Sequence, residues 1–277
     1  MSKIGFCFTG EGARGSIQAG IALGLYEQGI TPDFTIGISS GSVCAASYAY
    51  LGAEGLANMW SNISGIFDVF GINYFPIGKT GLLNQKPMRK TLLKAMENEP
   101  LCESTVIRMN IETGEMDYVS NKKVNKEEFA EAVLGSVAIT GLVEDRGGWV
   151  DAGSRLLTPL EQCINAGCTD IYVIMGRPLV LQEWKKPRGL FKIPKMVFRA
   201  LDITLHEMMA RDINNCIREK TDPKFKNVNI FLIEPKELFF ESVEFGKCKK
   251  GVVFGKTEYR KQDKKGLRSY LKKPAGH

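Results

Sequence analysis

The chain has 277 residues, 44% of them hydrophobic and 25% charged, enough apolar material for a large buried core with an ordinary charge content. Two histidines, His206 and His277, exclude most histidine-rich metal centres, and seven cysteines, odd in number and without a C-x-x-C pair, argue against a disulfide or zinc framework. The formal charge of +6 is uneven: from Gly246 onward eleven Lys or Arg face only Glu258 and Asp263, so this tail carries +9 and the first 245 residues carry −3.

In chain order, "KIGFCF" is an apolar run bounded by glycine, as expected of a buried strand. Charged residues Glu11 and Arg14 follow it closely, so it does not read as a signal peptide. No apolar run approaches the roughly 20 residues that a bilayer span needs. The expected location is the cytoplasm, or the periphery of its membrane. "SIQAGIALGLYEQGI" has helical spacing with Gly29 as its stop, "DFTIGI" is a second strand, and "SVCAASYAYLG" is a helix of small residues. Strand, helix, strand, helix predicts a mostly parallel sheet with helices on its faces.

The segment "GIFDVFGINYFPIGKTGLLNQKP" breaks this rhythm. Its aromatics Phe67, Phe70, Tyr74 and Phe75 suit either a mobile flap over a pocket or, as is commoner, a connection packed under its own rings. "STVIRMNIETGEMDYVS" predicts two strands about Thr113-Gly114, "KEEFAEAVLGSVAI" a helix, and "GGWVDAG" a short strand and turn. Pro159 opens a further helix, "DIYVIMG" is a strand, "PKMVFRALDITLHEMMARDINNCIREK" a long amphipathic helix, and "NVNIFLIEP" a last strand. The basic tail reads first as a solvated helix with a loose end, and second as a contact for an anionic surface. No nucleic-acid partner is expected.

Two glycine loops carry the chemistry. Gly10, Gly12 and Gly15 form G-x-G-x-x-G between a strand and a helix. A dinucleotide fold would also need a carboxylate at the end of the second strand. Asp33 lies at that strand's start and its end is Gly37-Ile38-Ser39, so the nucleotide reading weakens. Gly37-Ile38-Ser39-Ser40-Gly41 is G-x-S-x-G, a nucleophile elbow in which a tight strand-to-helix turn lifts a serine hydroxyl clear of the backbone. A serine nucleophile needs donors for an oxyanion, which the Gly10–Gly15 loop is placed to offer, and a base for its proton. The chain order permits a Ser39, Asp151, His206 triad, but His206 falls inside the long helix, where a structural role is expected. A base other than histidine is therefore expected.

These motifs resemble those of the patatin-like phospholipases. Gly10-Glu11-Gly12-Ala13-Arg14-Gly15 is similar to the family's G-G-G-x-R-G loop, Gly37 to Gly41 to its G-x-S-x-G, and Asp151-Ala152-Gly153 to its D-G-G or D-G-A. "EEFAEAVLGSVAITGLV" and "LLTPL" resemble the segments that flank the aspartate, and the likeness runs from about residue 3 to about residue 235. The resemblance implies a three-layer α/β/α fold and a Ser39–Asp151 dyad that cleaves lipid or phospholipid esters without a cofactor or metal. It implies an oxyanion hole from backbone N–H groups of Gly10, Glu11, Gly12 and Arg14, helped by Ser40, with Gly15, Gly37, Gly41 and Gly153 supporting the motifs.

Three positions depart from the pattern. Glu11 replaces a glycine, which is compatible with an oxyanion only if its carboxylate points away. Ala152 replaces another and needs a negative φ. Ile139-Thr140-Gly141 lacks a proline. Arg14 is expected near a phosphate or near Asp151, or in a surface salt bridge. The expected organisation is a hydrolase domain over residues 3–245 and a basic helix and tail over 246–277. The rival readings are an inactive patatin-like protein that binds lipid or a partner, and a Rossmann nucleotide-binding protein.

Overall fold

The apolar runs pair edge to edge into one twisted sheet. The computed structural model describes residues 2–75, 77–183, 192–218 and 227–261. Strand β1 (Ile4–Phe8) leads through a short turn into helix α1 (Gly15–Glu27), β2 (Phe34–Ile38) and α2 (Ser40–Ser61). Next come β3 (Gly71–Ile72), β4 (Gly81–Asn84), α3 (Lys86–Ala95), the hairpin β5 (Glu103–Asn110) and β6 (Met116–Ser120), and α4 (Lys126–Ser136). The chain continues with β7 (Gly141–Val143), β8 (Trp149–Asp151), α5 (Leu160–Asn165), β9 (Asp170–Ile174), α6 (Lys192–Arg218), β10 (Asn229–Ile233) and α7 (Cys248–Lys261).

The main sheet runs β10-β9-β1-β2-β5-β6, and β8 also pairs with β5. From β10 to β5 every pairing is parallel, whereas β6 and β8 are antiparallel to β5. Strands β1 and β2 are buried almost throughout because helices cover both faces, which explains their unbroken apolar sequences. One core lies between the sheet and α1, α2, α4 and α7, with Phe6, Phe8, Ile17, Leu56 and Phe129 at its centre. A second lies on the other face under α5 and α6, around Ile36, Ile38, Ile107, Val173 and Ile213. The fold is thus mixed α/β in three layers about a mostly parallel sheet.

The helix of the basic C-terminal segment is built into the first layer. Glycines let α7 lie directly on α1: a Cβ on Gly20 would stand 2.1 Å from the Val252 carbonyl oxygen, and one on Gly255 2.1 Å from that of Ile17. Two of its cations meet one α1 carboxylate, Lys256 at 2.5 Å and Arg260 at 2.7 Å from Glu27. The rest of that tail, residues 262–277 with His277, lies outside the described residues. No described helix is long and apolar enough to cross a membrane.

The aromatic segment between α2 and α3 differs from the expected packed connection. It forms a small sheet, β3-β4-β7, over Val69, Phe70 and Val143. Only Phe70 of the four aromatics is buried there, while Phe67, Tyr74 and Phe75 are exposed. Strands of two to four residues bury one face of a small hydrophobic cluster and leave the hairpin turn in solvent.

Candidate active site

Ser39 joins β2 to α2 and is the one non-glycine residue with positive φ among the described residues, at φ 53° and ψ −131°. That conformation costs a residue with a Cβ roughly 1–3 kcal/mol and persists because the surroundings fix it. Gly37 and Gly41 make the turn possible by close approach. A Cβ on Gly37 would stand 2.0 Å from the Gly41 carbonyl oxygen, and one on Gly41 2.3 Å from that of Phe8. Two hydroxyls tie the elbow to its neighbours. Ser136 at the end of α4 accepts from the Ser39 N–H at 3.0 Å, and Ser40 accepts from the Glu11 N–H at 2.9 Å.

Strand register brings Asp151 to this serine. Ile38, the last residue of β2, pairs with Ile107 on β5. The next residue of β5, Arg108, pairs with Asp151 of β8. Strand β6 already occupies the opposite edge of β5 at Arg108, so β8 lies on the β2 edge, end to end with β2. Asp151 therefore stands about 3.3 Å further along β5 than the end of β2, where Ser39 begins the turn. Its N–H donates to the Ala138 carbonyl at 3.0 Å and its carboxylate accepts from the Gly153 N–H at 2.8 Å. Burial raises the Asp151 pKa to about 6, and the facing Ser39 hydroxyl and the Gly153 N–H restrain the rise. Ala152 lies in a short 3-10 turn without positive φ, so the missing glycine costs no backbone strain.

The glycine loop before α1 is held by charge. Glu11 is buried, but its carboxylate turns away from Ser39: it accepts from the Thr9 hydroxyl at 2.6 Å, the Gly176 N–H at 2.8 Å and the Arg177 Nε at 3.0 Å. Arg177 also meets Asp202 of α6 at 3.0 Å. Burial pushes the Asp202 carboxyl up, and Arg177 and Arg14 more than offset it, leaving the pKa below the ordinary value. Arg14 corrects a sequence expectation. It makes no surface salt bridge and does not face Asp151; it is wholly buried, bound to the Phe240 carbonyl at 2.8 Å, Asp202 at 3.1 Å and Glu241 at 3.2 Å.

Most backbone donors of this loop already have acceptors. The Gly10 N–H donates to the Leu157 carbonyl, that of Glu11 to Ser40, and that of Arg14 to the Glu11 carbonyl. Within the Gly10–Arg14 loop this leaves Gly12 as the N–H without an acceptor among the described residues. Ser40, as the first residue of α2, adds an N–H with no acceptor inside the helix. The nucleotide reading meets an obstacle here: the Ala13 N–H donates to the Ser242 carbonyl at 2.7 Å, so the chain itself covers the loop where a pyrophosphate would rest. Gly15 is packed against the ring of Trp60.

Ser39 and Asp151 lie at the wall of a cavity of about 1300 Å³ whose lining is mostly apolar, with Met59, Phe67, Leu83, Met88, Leu142 and Leu205 among its residues. Gly10, Glu11, Gly12 and Gly153 border it as well. His206 sits buried in α6 and is not part of that lining. Among the described residues no group of His, Cys, Asp and Glu is arranged to hold a metal ion. Sequence reasoning missed Ser136, Arg177 and Asp212, the last of which accepts from the Leu157 and Thr158 N–H groups at 2.8 and 3.2 Å. Each acts on the site from far along the chain and carries no local motif.

A serine on a strained strand-to-helix turn and a carboxyl at the end of β8 thus meet at the wall of one apolar cavity in an α/β protein. The sequence profile of the family described as patatin-like phospholipase matches residues 6–164, more than half of the chain. The protein belongs to the patatin-like phospholipase family. Among solved structures, the crystal structure of VipD from Legionella pneumophila is similar with a TM-score of 0.50 and 13% identity, over 97% of this chain and 67% of that one. At that identity the likeness concerns the fold. No curated protein matches the sequence.

Proposed function

We propose that the protein hydrolyses carboxylic esters of lipids through a Ser39–Asp151 dyad and an acyl-enzyme. The observation that carries this reading is the pairing of a strained Ser39 with a partly buried carboxyl whose pKa is raised to about 6, both at one apolar cavity. An ordinary aspartate near ~3.9 is a weak base toward a hydroxyl, and the raised value narrows that gap.

In the reaction, the Ser39 Oγ attacks the ester carbonyl carbon while Asp151 takes the hydroxyl proton. The N–H groups of Gly12 and Ser40 hold the oxyanion of the tetrahedral intermediate. As the C–O bond to the leaving alcohol breaks, Asp151 returns its proton to that oxygen, and the acyl group remains on Ser39. Water then attacks the acyl-enzyme, giving its proton to Asp151, which passes it to the departing Ser39 oxygen. The inward-turned Glu11 carboxylate, neutralised by Arg177, leaves only backbone near the oxyanion. The apolar lining suits an acyl chain of a lipid substrate.

The test uses a fluorophosphonate probe and a p-nitrophenyl acyl ester. Ser39→Ala should lose both labelling and hydrolysis, and Asp151→Asn should lower hydrolysis by at least about 10³-fold with unchanged circular dichroism. His206→Ala should hydrolyse as wild type does. Wild-type kcat/KM should fall tenfold per pH unit below about 6 as Asp151 gains its proton. Loss of activity in His206→Ala with retention in Asp151→Asn would overturn the dyad.

A further inference from the structure

The cavity opens among large apolar side chains that the protein leaves in solvent. Phe67, Ile139, Leu201 and Val243 line it, come from four separate segments, and are all exposed. The β3–β4 hairpin, whose Leu83 belongs to that lining, carries Tyr74, Phe75 and Ile77 at its turn, with exposures of 81%, 86% and 93%. This turn has a fixed base. The Asn73 N–H donates to the Leu82 carbonyl at 2.9 Å, and Lys79 pairs with Glu144 at 2.8 Å. Leu83, two residues into β4 from its start, reaches the cavity lining. An exposed apolar cluster of this kind marks a surface that meets something apolar.

The next element states what that is. Helix α3 follows β4 after one residue and bears Lys86, Lys90 and Lys94 at i, i+4 and i+8, on one face. All three are exposed, none has a carboxylate partner among the described residues, and α3 itself contains no acid. Glu97 and Glu99 come only after its end, and Glu99 pairs with Lys126. Lys90 and Lys94 border the same cavity as Phe67 and Leu83. Apolar side chains exposed about the cavity and on the hairpin that reaches it, with ammonium groups on the border of the same cavity, match an anionic lipid surface: acyl chains take the first, phosphates the second. A second copy of the chain fits less well, because a two-fold contact would set the lysine row against itself. The basic C-terminal helix is the weaker candidate, since Glu27 already engages Lys256 and Arg260.

With the cavity read as the site of a lipid ester, we infer that the β3–β4 turn and the α3 lysine row form one docking face, by which the protein settles on anionic bilayers with the cavity mouth against the lipid. The turn enters the headgroup region and the lysines hold the phosphate plane. An ester in the outer leaflet then reaches Ser39 without crossing water.

The experiment is co-sedimentation with phosphatidylcholine vesicles, with and without phosphatidylserine, in the Ser39→Ala background so that the lipid stays intact. The parent should bind the phosphatidylserine vesicles more tightly, with an affinity that falls as salt rises. Tyr74→Ser/Phe75→Ser/Ile77→Ser should weaken binding to both vesicle types at least tenfold. Lys86→Glu/Lys90→Glu/Lys94→Glu should weaken binding on the order of 10²-fold to anionic vesicles and little to neutral ones. With Ser39 restored, the turn variant should still hydrolyse a soluble p-nitrophenyl ester as wild type does while losing hydrolysis of vesicle lipid. Vesicle binding unchanged in the turn variant, or abolished by removing residues 262–277 alone, would overturn the inference. A wild-type dimer that the turn variant converts to monomer, with vesicle binding intact, would assign the face to self-association instead. Turn-dependent vesicle binding in a wild-type protein inactive on every ester would keep the docking face and remove the hydrolase reading.

Discussion

The two glycine loops of the site are held in place by different forces. The elbow at Gly37–Gly41 is set by sterics, with backbone packed on backbone where any Cβ would collide. The loop at Gly10–Gly15 is close-packed too, a Cβ on Gly12 standing 2.4 Å from the Ser242 carbonyl oxygen, but it is held in addition by electrostatics, through a buried chain of Glu11, Arg177, Asp202 and Arg14. The first is set by close approaches within its own five residues and onto the Phe8 and Thr9 carbonyls. The second depends on cations and carboxylates up to 227 positions away in sequence. A loop fixed by sterics tolerates no added volume, and a loop fixed by charge tolerates no lost partner.

The largest expected effect tests the charged loop. Arg177→Met leaves Glu11 buried without its cation, and chemical denaturation should show a loss of about 3–5 kcal/mol. The double variant Glu11→Gln/Arg177→Met should recover much of that, since no unpaired charge stays inside. Equal losses in single and double variants would mean that the loop is not held by this pair. For the elbow, Gly41→Ala should cost about 3 kcal/mol, because the methyl must displace the Phe8 and Thr9 carbonyls that lie 2.3 and 2.6 Å from its position. A denaturation midpoint equal to that of wild type would break the steric half of the comparison.

Smaller effects, stabilising rather than destabilising, are expected at the proposed dyad residues Ser39 and Asp151. Ser39→Gly should stabilise the fold by about 1 kcal/mol, by relieving the positive φ. Asp151→Asn should also stabilise it, on the order of 1 kcal/mol, but only at higher pH. Burial raises the folded pKa of Asp151 to about 6, so between its ordinary value and 6 the native state binds more protons than the unfolded one. Native stability from this group is complete below about pH 4 and is lost as pH rises through 6. The gain from asparagine should therefore appear in thermal melts at pH 8 and vanish at pH 4. A gain that persists at pH 4 would have another origin.

The same division decides what was legible in the sequence. The elbow was readable because its strand, its glycines and its serine are contiguous, and the parallel sheet followed from the alternation of apolar runs and helical spacing. Asp151 was reached through its resemblance to a family motif, since nothing in "WVDAG" alone shows that β8 abuts β2. The roles of Glu11 and Arg14 were not readable: Arg177 lies 166 residues from Glu11, and Asp202 and Phe240 still further from Arg14. The β3–β4 turn went the other way, because hydrophobicity alone predicts burial for Phe67, Tyr74 and Phe75. Local sequence cannot report that so small a sheet lacks the area to cover them.

Strand β5 serves the Ser39 turn and Asp151 as a common ruler. Ile38 and Asp151 take consecutive positions, Ile107 and Arg108, along one edge of it. With both anchored to one strand, the spacing between the Ser39 turn and Asp151 is fixed by a single register, whatever the packing of the outer layers.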